Sequence, residues 1–430
     1  MPEEVYCIEG GKQLEGDVRL SGAKNATLPL LVAACLGEEP SILDNVPLQL
    51  NDVQLQIQLL QLMGAKIEIS QIHNSVTCCR GQLSGGEAPT LVASGIRTSL
   101  LLLGLFAGLG KSVTLPSPGG CNFERKYDLH ISGLRKLGAS ISEDSKSITL
   151  SSSGLKGTTV DFYVPTTTGT ENIMIGASLA QGTTIIRNAN TRPEIQQLGQ
   201  LLSQMGARVR MQNRIVEVRG VKSLRGGARI SVMPGWDEAL TYIVGAGITQ
   251  GSLRILDFDL SNIAEEARYL RQAGIELFEW QGDLYVSGKG KKESFDIFTA
   301  PYPGLDTDAQ PLFTVLGLVI EGSSVITEMR HANRFQYVEQ LRCFGADIGV
   351  YGNTAIVQGG KPLVGADVRA TDLRGGAALV LCGLAAKGQT RISNIYEIER
   401  GYENLPEKLI ALGATVIRER SDHDTNSVLQ

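Results

Sequence analysis

The chain is expected to be an α/β (α+β) protein of two lobes, each made of three repeated βαβαβ-type modules, with a double-stranded hinge between the lobes. Three observations predict this. At 430 residues the chain is too long for a single hydrophobic core. A phrase ending in Leu-Gly-Ala-x-Ile or a close variant recurs six times, with marker glycines Gly64, Gly138, Gly206, Gly274, Gly345 and Gly413 at spacings of 68 to 74 residues. Within each copy, stretches of strand period alternate with stretches of helix period.

The elements of a copy follow in order. A small-Gly-x-x-x-Ile phrase such as QGTTII is β-branched and alternating, and reads as a strand. After a variable loop, a segment such as EIQQLGQLLSQMG carries apolar residues at helical spacing and stops at the marker glycine. A second helix, apolar on nearly every side (IMIGASLAQG, AALVLCGLAAKG), precedes the next strand and is expected to be buried. The stretch LSGAKNATLPLLVAACL, Leu20 to Leu36, is one such helix, with Ser21 as its candidate cap. Around Arg225 to Ala239 the pattern breaks near mid-chain. With Met1 to Ser21 lending a strand to the second half, the chain would cross twice, giving lobes of residues 1–21 plus 236–430 and 22–235. Such a joint permits closure over a substrate.

Composition narrows the function. Hydrophobic content of 42%, charge of 20% and a net charge of -5 describe an ordinary globular protein with no general pull on nucleic acid. The longest apolar run, SLLLLGLFAGLG, is too short to span a bilayer, and no charged segment precedes a signal-like run, so a cytoplasmic location without membrane partner is expected. Seven cysteines without a CxxC pair argue against a zinc site and a disulfide framework. Four histidines lack ligand spacing, and neither a Walker loop nor a dinucleotide fingerprint is present. No metal, no cofactor and no obligatory protein partner is therefore expected.

In a protein of regular modules the unusual loops carry the information. Lys24 stands at a helix start, where a cation is unfavourable unless it shares an anion. Cys121 follows Pro-Gly-Gly beside Arg125 and Lys126, a cationic loop suited to a reactive thiol. Asp306 and Asp308 precede an apolar helix, which either could merely cap. Arg334 reaches another helix start, ATDLR holds Asp372 and Arg374, and ERGYE holds Arg400. With Arg97, these cations could build a site for a small polyanion such as a phosphate ester bearing a carboxylate, or could serve in part as salt-bridge partners.

At these residues the chain resembles the enolpyruvyl transferases. The resemblance runs through LSGAKNATLPLL, PGGC followed by DLHI, TENIMIGASLAQGTTIIRNA, APYPG-x-x-TD-x-Q, NRF, ATDLR and ERGYE, nearly the whole chain. It implies a two-lobed fold of three modules each. It also implies transfer of enolpyruvate from phosphoenolpyruvate to the 3-hydroxyl of a UDP-sugar, UDP-N-acetylglucosamine, through a tetrahedral phospho-ketal. Carried over residue by residue, Lys24, Arg125 and Arg400 would hold the phosphate and carboxylate of phosphoenolpyruvate, with Arg97 and Arg374 in support, and Arg334 would be a further substrate-binding residue. Asn25, Asp128, Thr166, Thr168 and Asp372 would lie on the substrate-binding side. Asp308 would orient or deprotonate the sugar hydroxyl. Cys121 would assist proton transfer and phosphate departure, and would be the residue alkylated by fosfomycin.

The chain departs from the family's pattern in four places. The loop after Cys121 has Lys126 where a proline follows the arginine, and the hinge phrase PDRIE is PGWDE, with Trp236 in the arginine's place. PSVGAT is PTTTGT, Pro165 to Thr170, and the proline before the TD pair is Asp306. These changes fall near the acceptor side or its loop. Two other readings therefore stay open: an enolpyruvyl transferase acting on a different nucleotide or nucleotide sugar, and a non-catalytic UDP-sugar-binding regulator.

Overall fold

Each of the six marker glycines closes a helix in the left-handed region, with φ between +81° and +115°. After the helix Asn51–Leu62, Gly64 N donates to Gln61 O (2.9 Å) and Ala65 N to Leu60 O (2.9 Å). This is the paired bond that satisfies a helix's last carbonyls, and it needs a residue with no Cβ penalty at positive φ. The same two bonds recur at Gly138, Gly206, Gly274 and Gly413. In this computed structural model, residues 4–117 and 126–420 are described.

The fifth module shows the plan. A strand (Asp296–Phe298) leads through a loop to the buried helix Gln310–Leu318, then the strand Gly322–Thr327 and the short helix Val338–Arg342, closing with the hairpin Asp347–Tyr351 and Thr354–Gly359. The first strand lies parallel to the second, with Ile297 opposite Ile326; the hairpin adds antiparallel, with Val357 opposite Ser324 and Ile348. Among the described residues, six four-stranded sheets follow this order, together with a two-stranded pair, Gly37–Glu39 with Leu224–Gly226. The expected alternation of strands and helices holds, with the closing strand of each module doubled into a hairpin.

Two compact units emerge: Ser21–Met233, and Met1–Leu20 together with Pro234–Gln430. The N-terminal segment gives the latter two strands. Glu4–Glu9 lies between Gln389–Ser393 and Thr415–Arg420, and Glu15–Arg19 pairs parallel with Ser252–Leu256. In the Ser21–Met233 unit the helices Lys24–Ala34, Leu101–Gly108 and Thr167–Ala177 pack against one another; in the other unit Trp236–Thr249, Gln310–Leu318 and Leu373–Ala385 do so. These helices are apolar all round because neighbours cover every side, and each unit has its own apolar cluster. At Gly104 an added Cβ would stand 2.3 Å from Asn172 O, so only glycine lets those two helices approach as they do.

Candidate active site

Most of the candidate residues lie where a buried helix begins. Lys24 is the first residue of Lys24–Ala34, Arg97 opens the 3-10 turn leading into Leu101–Gly108, and Thr166 and Asp372 are the N-caps of Thr167–Ala177 and Leu373–Ala385. Asp308 stands two residues before Gln310–Leu318. Repetition of the module thus carries the same helix end, with its free N–H groups and positive dipole end, to six places that loop residues can elaborate.

In the Met1–Leu20 and Pro234–Gln430 unit these residues form one ion-pair cluster. Arg334 Nη2 donates to Asp308 Oδ1 at 3.0 Å, and its Nη1 lies 3.8 Å from Asp372 Oδ1. Arg374 Nε donates to Asp308 Oδ2 at 3.2 Å, Nη1 to the Tyr402 hydroxyl at 3.2 Å, and Nη2 to Asp237. Burial works against the Arg374 charge, but Asp237, Tyr402 and Asp308 outweigh it and hold the guanidinium firmly protonated. The two arginine side chains are 2–3% exposed, whereas that of Asp308 is 22% exposed. Two buried cations thus present one accessible carboxylate. Arg400, at the end of the helix Tyr396–Glu399, pairs with Glu397 at 3.0 Å.

The sequence left the loop aspartates open between capping and chemistry, and the structure separates them. Asp306 Oδ1 accepts from Asp308 N (2.8 Å) and so shapes the turn, while Ala309 is the N-cap and no side chain caps the helix. The reading of Ser21 as a helix cap is corrected: Ala23 is the N-cap of Lys24–Ala34, without a side-chain bond, because the strand ends at Arg19 and four residues intervene. Asp372 does cap its helix, accepting from Arg374 N and Gly375 N at 3.1 Å each.

In the Ser21–Met233 unit, Lys24 Nζ meets Asp52 Oδ2 at 3.0 Å, both side chains nearly covered, so the anion that a helix-start lysine needs includes this carboxylate. Asn25 follows it on the helix's first turn. Arg97 donates to Lys126 O at 3.1 Å, and Asp128, the first residue of Asp128–Lys136, accepts from the Tyr163 hydroxyl at 2.7 Å. Thr166 accepts from Gly169 N at 3.3 Å. Cys121 and Arg125 lie outside the described residues.

Thr168 belongs to a directed chain of bonds. Gly104 N fixes Asn172 Oδ1 at 2.7 Å, so the amide nitrogen of Asn172 faces Leu100 O (3.0 Å) and His130 Nδ1 (2.9 Å). His130 Nδ1 therefore accepts, and its Nε2 is assigned the proton and donates to Thr168 Oγ1 at 3.2 Å. Burial, aided by the Arg97 charge, pushes the His130 pKa down to about 3, and Asp128 opposes this in part.

Sequence reasoning did not place Asp52, Asp237, His130, Asn172 or Tyr402 in these networks. Asp237 and Tyr402 stood inside quoted phrases, PGWDE and ERGYE, and a buried arginine's need for carboxylate partners was the available signal. Trp236, in the place of the family's arginine, is 3% exposed and belongs to the apolar core, so packing absorbs that departure. Among the described residues no group of three or more His, Cys, Asp or Glu could hold a metal ion, and no helix is long and apolar enough to cross a membrane.

Six modules of one plan, three to a unit, with charged and hydroxyl residues at the starts of buried helices, define an enolpyruvyl transferase-type fold. The enolpyruvyl transferase NikO from Streptomyces tendae matches over 98% of this chain and 100% of its own, with TM-score 0.89 at 23% identity. An EPSP synthase from Acinetobacter baumannii matches over 97% and 100%, with TM-score 0.76 at 17% identity. At such identities these likenesses speak for the fold alone. The chain belongs to the EPSP synthase (3-phosphoshikimate 1-carboxyvinyltransferase) family, whose profile matches residues 8–409. It is 43% identical to a UDP-N-acetylglucosamine 1-carboxyvinyltransferase of Coxiella burnetii, over 97% of this chain and 96% of that protein. A protein of the same name from Trichlorobacter lovleyi is 41% identical over 96% and 99%.

Proposed function

We propose that this protein transfers the enolpyruvyl group of phosphoenolpyruvate to the 3-hydroxyl of UDP-N-acetylglucosamine, releasing phosphate. This would be the first committed step of peptidoglycan precursor synthesis, carried out in the cytoplasm. The observation that carries the reading is the 43% identity along nearly the whole of both chains to a relative of that name. The Asp308 cluster supports it: two buried arginines fix an accessible, ionised carboxylate at one point, as a group that orients an attacking hydroxyl requires.

The acceptor oxygen adds to C2 of phosphoenolpyruvate while C3 gains a proton, giving a tetrahedral phospho-ketal. Loss of a C3 proton then restores the double bond and expels phosphate. Asp308 takes the proton of the attacking hydroxyl. Lys24, Arg125 and Arg400, with Arg97, Arg334 and Arg374 in support, offset the charge of the phosphate and carboxylate. Cys121 assists proton transfer and phosphate departure. Asn25, Asp128, Thr166, Thr168 and Asp372 bind and orient the nucleotide sugar.

Mixing the protein with phosphoenolpyruvate and UDP-N-acetylglucosamine should release phosphate, and Asp308→Asn should lower kcat by about 10²–10⁴-fold with KM far less affected. Phosphate released only with another nucleotide or nucleotide sugar would replace the acceptor, and wild-type turnover by Asp308→Asn would remove Asp308 from the mechanism. Fosfomycin should alkylate Cys121 and leave Cys121→Ser unlabelled; persistent labelling would assign another thiol, with the exposed Cys343 the first to examine.

A further inference from the structure

Glu328 plays no part in the reaction described above, yet the residue is 3% exposed and its carboxylate accepts four hydrogen bonds. The Thr299 hydroxyl (2.9 Å), Arg330 N (2.6 Å) and His331 N (3.0 Å) donate to Oε1, and the Thr307 hydroxyl (2.8 Å) donates to Oε2. Its backbone is anchored as well: Glu328 N donates to Asn353 O at 2.7 Å, and Asn353 Nδ2 donates to Glu328 O at 3.1 Å. The donors come from two loops. Thr299 and Thr307 bracket the loop that ends at Asp308; Arg330 and His331 begin the loop that ends at Arg334. A single acceptor-only group on a fixed strand end therefore ties together the two segments whose next functional residues form the 3.0 Å Asp308–Arg334 pair.

We infer that Glu328 is a positioning residue that acts through Thr307 to set where the Asp308 carboxylate stands, an inference resting on the proposed role of Asp308. Thr307 is the discriminating link, since it is adjacent to Asp308, 8% exposed, and its hydroxyl is the donor to Oε2. A displacement of about 1 Å in a reacting group can cost roughly a hundredfold in rate.

The test uses Thr307→Val, which keeps the shape and removes the hydroxyl, and Thr307→Ser, which restores it. Thr307→Val should lower kcat by about tenfold or more, with both KM values changing far less, and Thr307→Ser should recover most of the rate. In an Asp308→Asn background Thr307→Val should cost nothing further in kcat, because a residue acting through Asp308 has nothing left to position; a merely structural role would lower kcat in both backgrounds alike. If Asp308→Asn itself turns over normally, the role of Asp308 fails and the inference falls with it. If Asp308→Asn is crippled but Thr307→Val is fully active, or costs as much in the Asp308→Asn background as alone, the inference alone is overturned.

Discussion

His130 and Glu171 are buried in the same unit and titrate in opposite senses. His130 is held neutral by burial, its pKa down to about 3 from the ordinary 6.5. The unfolded chain therefore binds one more proton than the folded one between these values, so this contribution to stability is complete above pH 6.5 and is lost as pH falls towards 3. The slope is about 1.4 kcal/mol per pH unit. Glu171 is pushed up to about 8, first by burial and then by Glu194, with Arg192 opposing; its contribution is complete below pH 4.5 and is lost as pH rises towards 8. Between pH 4.5 and 6.5 the two slopes cancel in the wild type, so urea denaturation across pH 4.5 to 8 should show Glu171→Gln gaining stability over wild type as pH rises, and His130→Gln falling in stability as pH rises from 4.5 to 6.5, where the wild type stays level. Parallel profiles for all three proteins would contradict both assignments. At this scale the sequence exposed residue types and not partners: Arg374 stood out as a cation, but Asp237 and Asp308 are 137 and 66 residues away along the chain, and no local pattern connects them.

The repeated helix–glycine–strand element predicts an ordering of substitutions. At Gly206 an added Cβ meets nothing within 4 Å, so Gly206→Ala tests backbone strain alone and should cost about 1–2 kcal/mol. At Gly64 the Cβ would stand 2.5 Å from Gln82 O, and at Gly274 2.0 Å from Lys291 O, so alanine there adds a collision with backbone and should cost clearly more. Equal losses of denaturation midpoint at the three sites would show that the surroundings yield. Elements were the most legible level of this sequence, because a left-handed C-terminus demands glycine and a buried helix demands apolar residues on every face, and both demands repeat six times. What escaped was local and non-periodic. Four residues from Gly22 to Asn25 can start a helix at several points, so the position of Ser21 could not fix its role, and Asp306 could not be told from Asp308 without the turn that Asp306 makes.

At the scale of the molecule, Ser21–Met233 is one continuous stretch with its own apolar cluster, whereas the other unit is assembled from both ends of the chain. Residues 21–233 should therefore fold cooperatively as a fragment. Residues 234–420 alone should not, because the strand Glu4–Glu9 lies inside a sheet with Tyr6 and Ile8 buried, and Glu15–Arg19 closes another. The register supplies the repair: Glu4 lies directly opposite Arg420 in antiparallel pairing, so a short hairpin turn after Arg420 can lead straight into Glu4. A chain running 234–420, a two- to four-residue Asn-Gly-type turn, and then 4–20 should recover a cooperative urea transition that 234–420 lacks, since it restores both missing strands in sequence order. Placing the same N-terminal residues before Pro234 through a short linker should restore the transition as well, because Ala23 N donates to Met233 O at 2.7 Å and the helix Trp236–Thr249 supplies the crossover between the parallel strands Glu15–Arg19 and Ser252–Leu256. Circular dichroism and urea titration of the three chains decide the matter. A cooperative transition in 234–420 alone would mean that the unit's core does not depend on its N-terminal strands.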